Sequence, residues 1–490
     1  MINEKIQARR AEPWREELRK SIKAKERGEI IRVHMPELDA EYRSHSLREE
    51  VNLGLSAEQA VQEAKRCLDC ANPTCMDGCP VEINIPTFIK NIERGDFLGA
   101  AKVLKETSAL PAVCGRVCPQ EKQCEAQCIY IQKMKKEPVA IGYLERFAAD
   151  YERESGQVST PELAPANNIK VAVVGSGPAG LSFAGDMAKL GYDVTIFEAL
   201  HEIGGVLKYG IPEFRLPNKI VDVEIDVLGK MGVKFVKDCI VGKTITREEL
   251  HEEGFKGIFV ASGAGLPNFM NIPGENLIGV MSSNEFLTRV NLMDASNPES
   301  DTPVQMGKKV AVVGAGNTAM DAVRTAKRLG AEKAYIIYRR SEEEMPARIE
   351  EVKHAKEEGV EFYTLHNPVR YEGDENGRVI RMLLQRMELG EPDASGRRRP
   401  MPVEGATEWF DVDQVIVSVG VSPNPLIPST FKGLEVSKWG TIIVNQDTMQ
   451  SDLPDVYAGG DIVRGGATVI LAMGDGRKAA AAMDKALQGR

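Results

Sequence analysis

No run of apolar residues in this 490-residue chain approaches the roughly 20 that a membrane-crossing helix needs, which excludes a helical membrane span. Its first residues, MINEKIQARRAEPW, lack the apolar stretch of a secretory signal, so a cytoplasmic protein is expected. An excess of basic residues is also missing. The chain has 62 Lys and Arg against 72 Asp and Glu, a net charge of −10, and no broad cationic surface for nucleic acid. No cysteine follows Cys239, which rules out disulfide exchange through a Cys-x-x-Cys in the C-terminal half. Histidines number six, and no Ser/His/Asp apparatus is expected; catalysis rests on orienting cofactors, and no catalytic side chain is named. At 42% hydrophobic and 27% charged, the composition is that of a folded globular protein. At about 150 residues per domain, the length allows two to four domains.

Eight of the nine cysteines lie between Cys67 and Cys128. The first group reads Cys67-x2-Cys70-x4-Cys75-x3-Cys79-Pro80, and the second Cys114-x3-Cys118-Pro119 followed by Cys124-x3-Cys128. A disulfide scaffold would be a small secreted chain, which this is not. Zinc sites use two Cys-x2-Cys pairs separated by a long loop, whereas these thiols are tightly packed. A cysteine followed by proline is the residue that ligates the other cluster in two-cluster ferredoxins, so two [4Fe-4S] clusters with crossed ligation are expected. Eight cysteines suffice for two sets of four, but their spacing does not say whether all eight are used. The segment LSAEQAVQEAKRCLDC opens like a capped helix, with Ser56 as its N-cap and Glu58 and Gln59 in the first turn. Residues 1–50, alternating in charge sign, read as a solvated arm and connector, or as a docking arm for a partner.

From Lys170 the pattern becomes strand, glycine turn, helix, strand, and it recurs 139 residues later at Lys309. The first turn is Gly175-x-Gly177-x-x-Gly180, with Pro178 and Ala179 opening its helix. Gly175 permits the turn, Gly177 admits a pyrophosphate, and Gly180 allows helix and strand to pack closely. Glu198 ends the next strand, where its carboxylate can accept both hydroxyls of an adenosine ribose and would repel a 2′-phosphate. The second turn is Gly314-x-Gly316-x-x-Ala319, and the strand after it ends in Arg339 and Arg340. Paired guanidinium groups there suit the 2′-phosphate of NADP(H); the alternative is an exposed arginine pair on a sheet edge. Different ribose readers imply different ligands, with FAD at the first turn and NADPH at the second. In the tail, Gly460 and Asp461 are expected against the pyrophosphate or ribityl part of FAD, or else as a plain turn before a helix.

Taken together, the chain resembles the small (beta) subunit family of NADPH-dependent glutamate synthase. It is also similar to the large subunit of NADH-dependent ferredoxin:NADP oxidoreductase and to the amino-terminal half of dihydropyrimidine dehydrogenase. The resemblance covers roughly residues 35–490 and is strongest in LPAVCGRVCPQEKQCEAQC (110–128), EPVAIGYLERF (137–147), GGVLKYGIPEFRLP (204–217), YRRSEEEMPA (338–347) and AGGDIVRGGATVILAMGDGRKAA (458–480). It implies one cluster on Cys67, Cys70, Cys75 and Cys128, and another on Cys79, Cys118, Cys124 and Glu145, leaving Cys114 spare. It also implies that Gly204, Gly205 and Leu207 pass near the flavin and that Asn317 and Thr318 lie in the NADPH turn.

The expected architecture is α/β: a helical double [4Fe-4S] domain, then two Rossmann-like units, the NADPH domain inserted in the FAD domain. The expected boundaries are 1–50, 51–168, 169–285 (FAD), 286–418 (NADPH) and 419–490 (FAD). The activity implied is hydride transfer from NADPH to FAD, then single electrons through the clusters to a large (alpha) subunit that makes glutamate from glutamine and 2-oxoglutarate. An NAD(P)H:ferredoxin oxidoreductase subunit with a ferredoxin-type acceptor is the alternative; neither nucleic acid nor membrane is an expected partner.

Overall fold

The structure, a computed structural model, describes residues 2–394 and 396–489. The cysteine-bearing unit is helical. Ser56 caps the helix Ala57–Arg66, accepting the Gln59 N–H while the Gln59 side chain returns to the Ser56 N–H, as the sequence pattern predicts. The unit's longer helices also include Ile85–Glu93, Phe97–Lys105, Pro111–Val117 and Ile141–Glu154, with Phe97 edge-on to Phe147 and Tyr151 at 5.0 and 4.8 Å. The amino-terminal segment is not a solvated arm throughout. Arg15 is fully buried and bonds Asp69 and Thr87, and Arg27 pairs with buried Glu93 at 2.8 Å. Charges that read as surface in the sequence are here paired in the interior, where leaving either partner alone would be costly.

Beyond residue 169 lie two five-stranded parallel sheets. The first runs in the order Val456–Ala458, Phe255–Val260, Lys170–Val174, Asp193–Phe197, Lys234–Val236. The second runs Val280–Ser282, Gln414–Val417, Lys309–Val313, Lys333–Tyr338, Glu361–Thr364. Central strands Lys170–Val174 and Lys309–Val313 have the same sequence, KVAVV, buried after its lysine, as expected for strands covered on both faces. Strand Val456–Ala458 returns to the first sheet beside Phe255–Val260, so the second unit is inserted in the first, as expected. Val280–Ser282 pairs with Gln414–Val417 in the second sheet, so the change of unit comes ahead of the expected 285/286 boundary. An antiparallel sheet of His366–Gly373, Val379–Pro392 and Arg398–Asp411 extends the inserted unit. No helix among the described residues is long and apolar enough to cross a membrane.

The helix Val469–Leu487 joins the parts. A Cβ on Gly476 would lie 2.4 Å from the Ala179 carbonyl oxygen, and one on Gly474 would lie 2.9 Å from the Pro80 carbonyl oxygen. Ser182 Oγ donates to the Met473 carbonyl at 3.0 Å. Gly476→Ala must therefore push two backbones apart, and we expect it to destabilise the protein by about 1–3 kcal/mol, the usual cost of overpacking. The midpoint of chemical denaturation of the holoprotein checks this; an unchanged midpoint would show that the helices can separate freely.

Candidate functional site

At the first glycine turn, Gly175 has φ +99°, which an L side chain rarely adopts. A Cβ on Gly180 would sit 2.1 Å from the Gly175 carbonyl oxygen, so this position admits no side chain. At Gly177, the N-cap of the helix Pro178–Lys189, nothing lies within 4 Å of where a Cβ would be. Open space before free helical N–H groups is what a pyrophosphate requires. Glu198 is buried beside the turn: Oε2 accepts from Ser176 N (2.9 Å) and Ser176 Oγ (2.6 Å), and Oε1 from Leu200 N (2.9 Å).

Ser176 Oγ also accepts the Gly204 N–H at 2.9 Å, tying the 204–207 segment to the turn. Gly205, at φ +55°, would place a Cβ 2.9 Å from Gly177 Cα, and Leu207 is fully buried. From the tail, Gly460 (φ +76°) lies against Ala179 and donates its N–H to Asp475 Oδ2 at 3.0 Å. Asp461 accepts from Ala467 N, and burial pushes its carboxyl up to about 6. The residues expected at the flavin thus gather around one turn. Ser176 and Asp475, which sequence reasoning alone misses, link its pieces. Ser176 fills an unspecified position of the Gly-x-Gly-x-x-Gly pattern, and each of the two bonds a partner on another element that the local sequence does not indicate.

The second turn repeats the geometry. Gly314 (φ +129°) would put a Cβ 2.2 Å from the Ser418 carbonyl oxygen, and Gly316 again faces open space. Asn317 Oδ1 accepts the Arg348 N–H at 2.9 Å, Thr318 is exposed and Ala319 is buried. The two arginines separate in character. Arg339 is exposed, whereas Arg340 is buried, donating Nε to the Arg398 carbonyl and Nη2 to Asp393 Oδ2 at 2.6 Å.

The thiols fall into two groups. Cys67, Cys70, Cys75 and Cys128 line one pocket with Pro73, Ile85 and Ile89. Burial pushes the Cys67 thiol up to about 11, opposed by the Lys90 ammonium. Cys79, Cys118, Cys124 and Glu145 form the second group, each close enough to shift another's ionisation. Glu145 is buried, its Oε1 has no hydrogen-bond partner, and burial followed by Glu224 pushes it up to about 8. An orphaned carboxylate oxygen among thiols is the donor set a metal centre would complete. Cys114 is fully buried next to Cys118, with its Sγ 3.5 Å from Met473 Sδ. Glu37, Glu350 and His354 also converge, but Arg43 and Lys353 lie 3.2 Å from Glu37 and Arg348 lies 2.9 Å from Glu350, an ion-pair cluster already supplied with cations.

Two Rossmann-like units, one inside the other, and a helical unit with two groups of clustered thiols fit a flavin and iron–sulfur oxidoreductase. Residues 43–157 match the family described as dihydropyrimidine dehydrogenase domain II, 4Fe-4S cluster, and residues 169–480 match pyridine nucleotide-disulphide oxidoreductase. The chain is 37% identical over 431 residues to the glutamate synthase [NADPH] small chain of Escherichia coli (strain K12), covering 87% of this chain and 91% of that one. It belongs to the glutamate synthase small chain family, whose cofactors are FAD, NADPH and [4Fe-4S].

It is also 39% identical over 448 residues to the NADPH-Fe(3+) oxidoreductase subunit beta of Geobacter sulfurreducens, covering 86% of this chain but spanning 65% of that relative's length. Among solved structures, Mycobacterium tuberculosis FprA in complex with NADPH shares the fold, with a TM-score of 0.55 and 20% identity over 66% of this chain and 85% of that one.

Ser176→Ala removes both the donor to Glu198 and the acceptor for Gly204. At about 1–3 kcal/mol for a buried group left unpaired, we expect FAD affinity to fall about tenfold or more. Flavin released by heat from the purified variant, measured per chain after dilution, checks this; full retention would count against the bridge.

Proposed function

We propose that this chain is the NADPH-oxidising, electron-delivering subunit of a glutamate synthase, with a large subunit as the partner that forms glutamate from glutamine and 2-oxoglutarate. The observation that carries the reading is the pairing of two differently equipped dinucleotide turns with two metal-binding groups in a chain that aligns with most of a small chain. Residues 51–168 hold the clusters, the unit built on strand Lys170–Val174 holds the flavin, and the inserted unit built on strand Lys309–Val313, with Val280–Ser282 in its sheet, holds the nucleotide.

When bound, NADPH supplies a hydride to the flavin, and the [4Fe-4S] clusters carry the electrons onward singly. The chain's own residues bind and orient. Gly175–Gly180 and the helix after them receive the FAD pyrophosphate, Glu198 takes the ribose hydroxyls, and Gly204, Gly205, Leu207, Gly460 and Asp461 border the rest of the flavin. Gly314, Gly316, Asn317, Thr318 and Ala319 receive the NADPH pyrophosphate, and exposed Arg339 faces the 2′-phosphate while buried Arg340 braces the hairpin beside it. Cys67, Cys70, Cys75 and Cys128 hold one cluster; Cys79, Cys118, Cys124 and Glu145 hold the other. Pro80, which follows Cys79 of the second group, and Cys114, beside Cys118, contact the helix Val469–Leu487 of the flavin unit.

A second reading is supported by the likeness to the NADPH-Fe(3+) oxidoreductase subunit: a flavin and iron–sulfur subunit of an NAD(P)H:ferredoxin oxidoreductase. Purifying the complex and supplying either glutamine with 2-oxoglutarate or oxidised ferredoxin separates them. NADPH oxidation that depends on the first pair supports the glutamate synthase, and oxidation that depends on ferredoxin overturns it. For the clusters, Glu145→Ala is expected to lower iron from about eight to about four atoms per chain. Iron analysis showing no loss would remove Glu145 from the ligand set. For the nucleotide, Arg339→Ala is expected to raise the NADPH KM about tenfold and leave the NADH KM nearly unchanged. Steady-state kinetics with both coenzymes tests this without disturbing the Arg340 contacts to the hairpin.

A further inference from the structure

A buried ion cluster lies where the two dinucleotide units meet. Arg215, eight residues beyond Leu207 in the segment that passes the flavin turn, is buried. Its Nη1 donates to both Asp321 oxygens at 2.7 Å, and its Nε lies 3.1 Å from Glu351 Oε1. Asp321 stands in the helix Asn317–Arg328, whose N-terminus is the second glycine turn. Glu351 stands in the helix Ile349–Glu357, just after Arg348, whose N–H is bonded to Asn317.

The neighbouring Phe214 strengthens the junction. Its fully buried ring lies under the Arg324 and Arg328 guanidiniums, 4.8 and 3.9 Å from the centroid. Arg324 in turn bonds Glu351 and Glu358. Two consecutive residues of the flavin-bearing unit therefore grip one helix of the inserted unit, on the helix that opens at the nucleotide turn.

We propose that Arg215 is a positioning residue: by holding Asp321 it sets the approach of the NADPH-binding helix to the flavin turn. This rests on the docking reading above, with NADPH at Gly314–Ala319 and FAD at Gly175–Gly180. In the reaction served, NADPH loses a hydride and becomes NADP+, and FAD gains that hydride and a proton from solvent. Arg215 itself bonds carboxylates of the inserted unit, Asp321 and Glu351. Its influence is on distance and angle, where a misplacement of about 1 Å can cost about a hundredfold in rate. A bidentate guanidinium suits this role better than an ammonium, which makes a point contact free to swivel.

The test uses the holoprotein under anaerobic conditions. Arg215→Met is expected to lower the limiting rate of flavin bleaching at saturating NADPH by about tenfold or more, with the NADPH Kd changed by less than about threefold. Arg215→Lys should recover part of the rate. Asp321→Asn should reproduce the loss, and the double variant should be no slower than either single one, because both remove the same contact. Without any nucleotide, amide hydrogen exchange should quicken in residues 317–328 of Arg215→Met and remain unchanged in residues 178–189.

A limiting rate within about twofold of the parent in a variant with full flavin and iron overturns the proposal, as does unchanged exchange in residues 317–328. If Arg215→Met loses its flavin, Asp321→Asn breaks the same contact from its other side, and its bleaching rate decides by the same criterion. Parent protein whose flavin NADPH does not bleach refutes the docking reading and the positioning role together. Altered exchange with normal bleaching kinetics refutes the positioning role alone.

Discussion

Close approach of the helix Val469–Leu487 to its neighbours is the constraint on which the arrangement depends. Transfer between cofactors needs short separations, and an ordinary helix carries side chains that hold neighbours apart. Gly474 and Gly476 remove that spacing on two faces about 200° apart, so the Pro80 and Ala179 backbones come within contact of the same helix from different sides. One of these neighbours follows a cysteine of the second metal-binding group, and the other opens the first nucleotide helix. A single element from the end of the chain thereby couples the two chemistries, and its glycines act by what they leave out.

Charge plays the complementary part between units. The chain is acidic overall, yet its buried junctions are built on arginine: Arg15 and Arg27 seat the amino-terminal helices, Arg43 reaches Glu358, Arg215 reaches Asp321 of the inserted unit, and Arg324 and Arg328 of that unit, braced by Glu358, cover the Phe214 ring. Burial pushes the Glu351 carboxyl up, but Arg215 and Arg324 beside it outweigh that and hold it at about 2. Such pairs specify geometry, because a guanidinium matched to two carboxylates tolerates little displacement.

Much of the candidate site was legible because its signals are local. A glycine fingerprint between a strand and a helix concerns a dozen consecutive residues, and the backbone does as those residues dictate: Gly175 and Gly314 adopt positive φ, while Gly177 and Gly316 face open space. The insertion was legible from element order, since a tail strand after a complete second unit must find a partner in the first sheet. The unit boundary was less so. Val280–Ser282 is a short strand whose membership is decided by a partner more than 130 residues later. The role of Arg340 was equally out of reach, because the Asp393 and Arg398 groups that engage it belong to a hairpin with no motif of its own.

By itself the sequence determined the class of chemistry: two glycine turns of the dinucleotide kind, followed by unlike residues at the ends of their next strands, and a cysteine set dense enough for iron. These follow from residue type and short spacing, which survive any packing. The grouping of the thiols and the place of Glu145 came from the family resemblance and not from local spacing; tertiary structure alone decided that a Glu145 oxygen is left unpaired and that Ser176 joins acid to flavin segment. It also decided that an arginine beside the flavin turn grips the helix of the other coenzyme. Those depend on residues brought together from distant parts of the chain, and no local pattern encodes such a meeting.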